Sequence, residues 1–202
     1  MSKKPEPLIL ASQSTTRRTM LTAAGLDFDA VSPAIDEELV KESLRAAGAD
    51  AAELAETLAE MKAQRISNKF PGALVIGCDQ TLDCNGIMFD KPADPDHARA
   101  HLQALSGKTH LLHSAICIAV NGSRIWHHNA VAKLTMRSLS PDFLDWYCTR
   151  EGEALLHSVG CYRLEGLGAQ LFSRVDGDHF TILGLPLLPL LDFLRLRGTI
   201  PG

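Results

Sequence analysis

Residues 8–11, Leu-Ile-Leu-Ala, form an unbroken apolar run, followed at once by two serines, two threonines and two adjacent arginines. The run predicts a short buried strand over Leu8–Ala11, and the segment behind it a helix over Arg17–Ala24 ended by Gly25. Phe28–Val31 predicts a second strand, and Ser32–Glu38 a turn closing on three consecutive acids. From Ala51 to Asn68, Leu54, Leu58 and Met61 recur at i, i+4 and i+7, the spacing of an amphipathic helix. The next apolar run starts at Ala73 and stops abruptly at Asp79, predicting a central strand that ends on a carboxylate. Asn85-Gly86 is a hairpin turn signal ahead of Ile87–Asp90. Beyond it the pattern predicts a helix over Pro95–Leu105 and strands around Thr109–Val120 and Arg124–Met136, joined by Asn-Gly-Ser. A Ser-Pro pair at 140–141 opens another helix, residues 157–180 read as a glycine-rich irregular passage, and Leu185–Gly198 as a packed final helix. The alternation is that of a mixed α/β unit without repeats, linkers or low-complexity tracts.

A chain of 202 residues, 46% hydrophobic, can bury a core as one domain or as two closely joined lobes. Its net charge of −4 argues against a protein built to grip nucleic acid, while leaving room for a local basic pocket. No apolar run approaches the roughly 18 residues of a membrane span, and the N-terminal run is too short for a secretory signal. Five cysteines, an odd number with no CxxC pair, disfavour a disulfide framework or a zinc site. A cytoplasmic setting is therefore expected, with no membrane and no nucleic acid partner; a homodimer is compatible with the sequence.

Two readings of Ser12–Arg18 stay open on the residues alone. Ser12 and Ser14 can cap the helix, or they can join free N–H groups at its N-terminus in holding an anion. Arg17 and Arg18 favour the second reading, because cations in a first turn oppose the helix dipole and their forked donors suit phosphate oxygens. Asp79 at a strand end can take a proton or hold a divalent metal, or be an ordinary turn residue. Asp36, Glu37 and Glu38 are a solvated acidic loop or oxygen ligands for Mg²⁺. Lys62 lies about 40° round its helix from Leu58, where lysines commonly snorkel to solvent, and Lys91 is a surface lysine or a phosphate contact. The eight histidines, including His97 and His101 at i, i+4, carry no companion motif of a metal site.

Read in series, these motifs resemble the Maf family of nucleoside triphosphate pyrophosphatases: S-Q-S-T-T-R-R (Ser12–Arg18), I-D-E (Ile35–Glu37), Lys62-Ala63, G-C-D (Gly77–Asp79), Lys91-Pro92, L-S-G-K-T-H (Leu105–His110), E-G-L-G (Glu165–Gly168) and G-L-P-L (Gly184–Leu187). Each is short, but eight in order across residues 8–197 are specific. The resemblance implies a single catalytic domain over 1–202, with a mixed sheet flanked by helices and two lobes around a central cleft, as in inosine triphosphatase-like folds. It implies cleavage of a nucleoside triphosphate to monophosphate and pyrophosphate with Mg²⁺ or Mn²⁺. Carried over by position, Asp79 is the proton acceptor, Ser12, Ser14, Arg17, Arg18, Lys62 and Lys91 hold the triphosphate, and Glu37 joins Asp79 at the metal.

The sequence departs from the family pattern in two places. Thr15-Thr16 replaces the usual proline with one residue added, which bears on the pocket lip at Thr16. Gln80 follows Asp79 in place of threonine, and Leu-Glu-Gly at 164–166 replaces Ile-Gln-Gly; both resemble the branch that favours 7-methyl-GTP. A carboxylate at 165 can accept from guanine N1–H and N2–H₂ together, whereas a glutamine suits thymine or uracil; alternatively Arg163 neutralises Glu165. The alternatives are a dTTP/UTP pyrophosphatase and a non-catalytic regulator of septum formation.

Overall fold

The described residues of this computed structural model are 6–202. In chain order they form β1 (Leu8–Ala11), α1 (Thr15–Ala23), β2 (Asp29–Ala30), α2 (Glu37–Ala46), α3 (Ala51–Ser67), β3 (Leu74–Cys84), β4 (Ile87–Phe89) and α4 (Pro95–Leu105). There follow β5 (Thr109–Val120), β6 (Ser123–Met136), α5 (Pro141–Glu151), β7 (Phe172–Asp176), α6 (His179–Ile182) and α7 (Leu187–Arg197), with 3₁₀ turns over Gly152–His157 and Leu167–Leu171. The seven strands make one mixed sheet in the order β2-β1-β3-β5-β6-β7, with β4 beside β3. β1 runs parallel to both neighbours, Ile9 facing Asp29 on one side and Val75 on the other. β4 and β7 pair antiparallel with β3 and β6. The α/β class is as the sequence pattern predicts, and the mixed, helix-flanked sheet is as the family resemblance implies.

Contacts divide the chain into two compact units. The first takes the chain through Asp79 together with Ser114–Ala130 and Gly184–Gly202; the second is Gln80–His113 with Val131–Leu183. In the first unit, α3 is started by a reciprocal cap, the Asp50 carboxylate accepting from Glu53 N–H and the Glu53 carboxylate from Asp50 N–H. Its inner side carries Ala55, Ala59 and Ala63, packed with Ala115, Cys117 and Ala119 of β5 into a seam of small side chains. Gly77 of β3 completes this close approach, since a Cβ there would lie 2.7 Å from Ala63 N and nearer still to the Ala59 carbonyl oxygen. In the second unit, Leu82, Leu102, Leu105, Leu134, Tyr147 and Leu171 are among the residues of a larger core of long side chains. Both Asn-Gly hairpins form with left-handed backbone at both turn residues, φ 57° and 82° at Asn85-Gly86 and 51° and 78° at Asn121-Gly122.

Five expectations need correction. The acidic stretch is a helix start rather than a turn: Asp36 caps α2 by accepting from Leu39 N–H, and Glu37 and Glu38 occupy its first turn, where the dipole favours acids. β3 does not stop at Asp79 but continues to Cys84, because Leu82–Cys84 pair with β4. Met61 is 36% exposed while Lys62 is buried, so the inner stripe of α3 runs through Leu54, Leu58 and Lys62. The passage over 157–180 contains β7, whose Phe-Ser-Arg-Val-Asp sequence gives little apolar signal because four of its five residues are exposed. The helix expected from Arg17 begins two residues earlier, at Thr15. All five cysteines are free. Among the described residues no helix is long and apolar enough to cross a membrane.

Candidate functional site

The small-residue seam decides where α3 puts its lysine. With the helix backbone pressed against β3 at Gly77, Lys62 is only 4% exposed, and its ammonium lies 2.6 Å from Asp79 Oδ1 and 2.8 Å from Glu37 Oε1. It does not snorkel. Two carboxylates, one buried and one half-buried, meet its charge, which is the condition for keeping an ammonium buried. Asp79, 6% exposed, projects from the interior of β3, and Glu37 is the first residue of α2. Three elements thus place three charged groups at one point of the first unit.

The turn between β1 and α1 lies in the same unit. Ser12 is buried and its hydroxyl accepts from Ser14 N–H at 3.1 Å; the Ser14 hydroxyl accepts from Arg17 N–H at 3.3 Å as the N-cap of α1. Ser14 is thus the N-cap of α1, Ser12 bonds within the turn ahead of it, and each hydroxyl keeps an O–H to donate. Thr16 is half-buried in the first turn of α1. Arg18 is exposed and donates from Nη2 to the Gln13 carbonyl at 2.7 Å. Arg17 points elsewhere, donating from Nε to the Gly184 carbonyl at 2.8 Å and from Nη1 to the Cys78 carbonyl at 3.1 Å. Burial pushes the Cys78 thiol up to about 11, against the pull of Arg17, so this cysteine is no nucleophile at neutral pH.

The remaining expected residues belong to the second unit. The Gln80 amide donates to the Thr181 and Ile182 carbonyls at 3.0 and 3.1 Å, anchoring α6. Lys91 is exposed just after β4, and Glu165 is exposed ahead of the 3₁₀ turn at Leu167. Arg163 does not serve Glu165: its guanidinium binds the buried Glu151 carboxylate through Nε and Nη2 at 3.1 and 3.0 Å. His97 is tied to Asp94 at 2.8 Å, and the His101 ring packs edge-on against Phe89, so this pair has local structural partners.

The family profile described as Maf-like protein matches residues 7–197. The chain belongs to the Maf family. Relatives named nucleoside triphosphate pyrophosphatase include one from Granulibacter bethesdensis, 55% identical over 93% of this chain and 95% of that protein. Another, from Paramagnetospirillum magneticum, is 56% identical over 95% and 99%, and one from Caulobacter vibrioides is 53% identical over 96% and 97%. A solved structure of a HAM1 protein from Coxiella burnetii aligns with a TM-score of 0.45 at 16% identity, covering 65% of this chain and 73% of that one. Within this Maf chain, three contributors stood in quoted motifs without a role of their own: Gly77, which admits α3, and the carbonyls of Cys78 and Gly184, which hold Arg17. A glycine inside an apolar strand opposite an alanine-rich helix was the available signal for the first. Backbone carbonyls leave none.

Proposed function

We propose that this chain hydrolyses a nucleoside triphosphate to the monophosphate and pyrophosphate, with Asp79 accepting the proton of the attacking water. The observation that carries the reading is the Glu37–Lys62–Asp79 cluster, a carboxylate oriented by a buried ammonium. Lys62 holds Oδ1, and Oδ2 is the oxygen assigned to the proton. Cleavage adds negative charge to the departing pyrophosphate, and Lys62, Arg18 and the hydroxyls of Ser12 and Ser14 are the groups of the first unit suited to meet it. Lys91 is assigned the same task by its motif. The relatives' names agree with this reaction.

The donor chemistry fits a divalent cation. Glu37 and Asp79 direct carboxylate oxygens at a single ammonium, and among the described residues no group of three or more His, Cys, Asp and Glu converges. One or two carboxylates with phosphate and water making up the shell is the arrangement Mg²⁺ and Mn²⁺ accept beside a triphosphate. Bound there, such an ion supplies Lewis-acid stabilisation of charge on the phosphates. For the base, Glu165 favours a guanine-type substrate such as 7-methyl-GTP, since Arg163 is committed to Glu151 and leaves the Glu165 carboxylate its charge to pair with N–H donors.

Purified protein with Mg²⁺, a panel of nucleoside triphosphates including 7-methyl-GTP, and pyrophosphate release as readout tests the proposal. Release is expected with the wild type and a loss of at least about 100-fold with Asp79→Asn. No release from any nucleotide, or full activity in Asp79→Asn, defeats it.

A further inference from the structure

We infer that Arg17 is a positioning residue for Asp79 rather than a phosphate contact, an assignment that rests on the pyrophosphatase reading above. The sheet itself creates the need. Leu74 N–H donates to the Pro7 carbonyl at 2.9 Å, so alternate residues of β3, Ile76 and Cys78 among them, turn their backbone polar groups toward β1. β1 ends at Ala11, opposite Gly77. The Cys78 carbonyl lies just past the last rung of that ladder, in a fully buried residue, where an unmet acceptor is destabilising. Arg17 supplies the missing donor from Nη1 and, with the same planar group, binds the Gly184 carbonyl from Nε.

The consequence falls on the next residue. The Cys78 carbonyl shares its peptide plane with the nitrogen and Cα of Asp79. Holding that carbonyl fixes the plane from which the Asp79 side chain departs toward Lys62. A lysine at 17 would keep the charge but, as a point donor, could not reproduce the rigid fork across two carbonyls. Arg18, exposed and bonded through a single nitrogen to Gln13, has more of its donors to offer an anion than Arg17, which spends two on carbonyls.

The test is spectroscopic and kinetic. In nucleotide-free wild type, the Arg17 Nε–H proton is expected to exchange slowly with solvent; exchange as fast as at an exposed arginine overturns the brace. In Arg17→Lys the ¹³C resonance of the Asp79 carboxyl is expected to move, and kcat for pyrophosphate release to fall about 100-fold with KM within about threefold. An unmoved Asp79 resonance, or KM raised about tenfold at near-wild-type kcat, returns Arg17 to the triphosphate. A wild type that releases no pyrophosphate counts against the pyrophosphatase reading alone, because exchange at Arg17 and the Asp79 resonance need no substrate. Should Arg17→Lys fail to fold, exchange in the wild type still decides whether the fork is engaged.

Discussion

Replacing Gly77 by alanine adds one methyl group at the tightest point of the first unit. Its carbon would lie 2.7 Å from Ala63 N and 2.9 Å from Ala63 Cβ, and closer again to the carbonyl oxygen of Ala59, against ordinary contacts of 3.4–4 Å. Two of those three atoms are helix backbone, which cannot change rotamer. α3 must therefore retreat from β3 by about 1 Å, opening the alanine seam along its length. Overpacking of this kind costs about 2–3 kcal/mol, which for a chain of this size lowers Tm by roughly 5–10 °C. The same retreat pulls Lys62 Nζ from its 2.6 Å contact with Asp79 to beyond hydrogen-bond distance, and pyrophosphate release should fall about 100-fold. Thermal unfolding and initial rates at saturating nucleotide read the two effects separately. Adding Ala63→Gly removes only the side-chain clash and should not restore either. Gly77→Ala with a Tm within about 1 °C of wild type and an unchanged rate would refute the claim that this glycine sets the height of α3 over the sheet.

Two further outcomes are expected. His110, buried against Tyr162 and Phe172 with Nδ1 unpartnered, has its pKa pushed down to about 4 by burial, so the unfolded chain takes up a proton from about pH 6.5 downward that the native chain refuses. Stability held above pH 6.5 is thus lost as pH falls toward 4, by up to about 3 kcal/mol from this residue, and an NMR titration placing the His110 midpoint near 6.5 would sink the argument. Glu165→Gln should shift preference from guanine-type toward pyrimidine nucleotides by about tenfold in kcat/KM, whereas an unchanged substrate profile would remove Glu165 from base reading.

The local elements that repeat a simple period were legible in the sequence. β1, α4, the hairpins at Asn85-Gly86 and Asn121-Gly122, α5 and α7 follow from apolar runs, caps and turn residues acting within a few positions of one another. Two elements were not: α2, which buries none of its residues, and β7, which is exposed along most of its length. The resemblance in motif likewise supplied Asp79, Lys62 and Glu37 as a set, without saying that one ammonium joins them.

The sequence by itself determined which residues carry charge and chemistry, and the order in which strand, turn and helix present them, because these depend on residue type and short-range spacing. Only the tertiary structure decided that Lys62 turns inward rather than snorkelling, and that Arg17 serves two backbone carbonyls rather than facing outward with Arg18. Both outcomes rest on contacts between segments distant along the chain: a missing side chain at Gly77 that lets a helix approach, and a strand edge left unpaired where β1 ends. Periodicity cannot encode either, since each is a property of how close two backbones come.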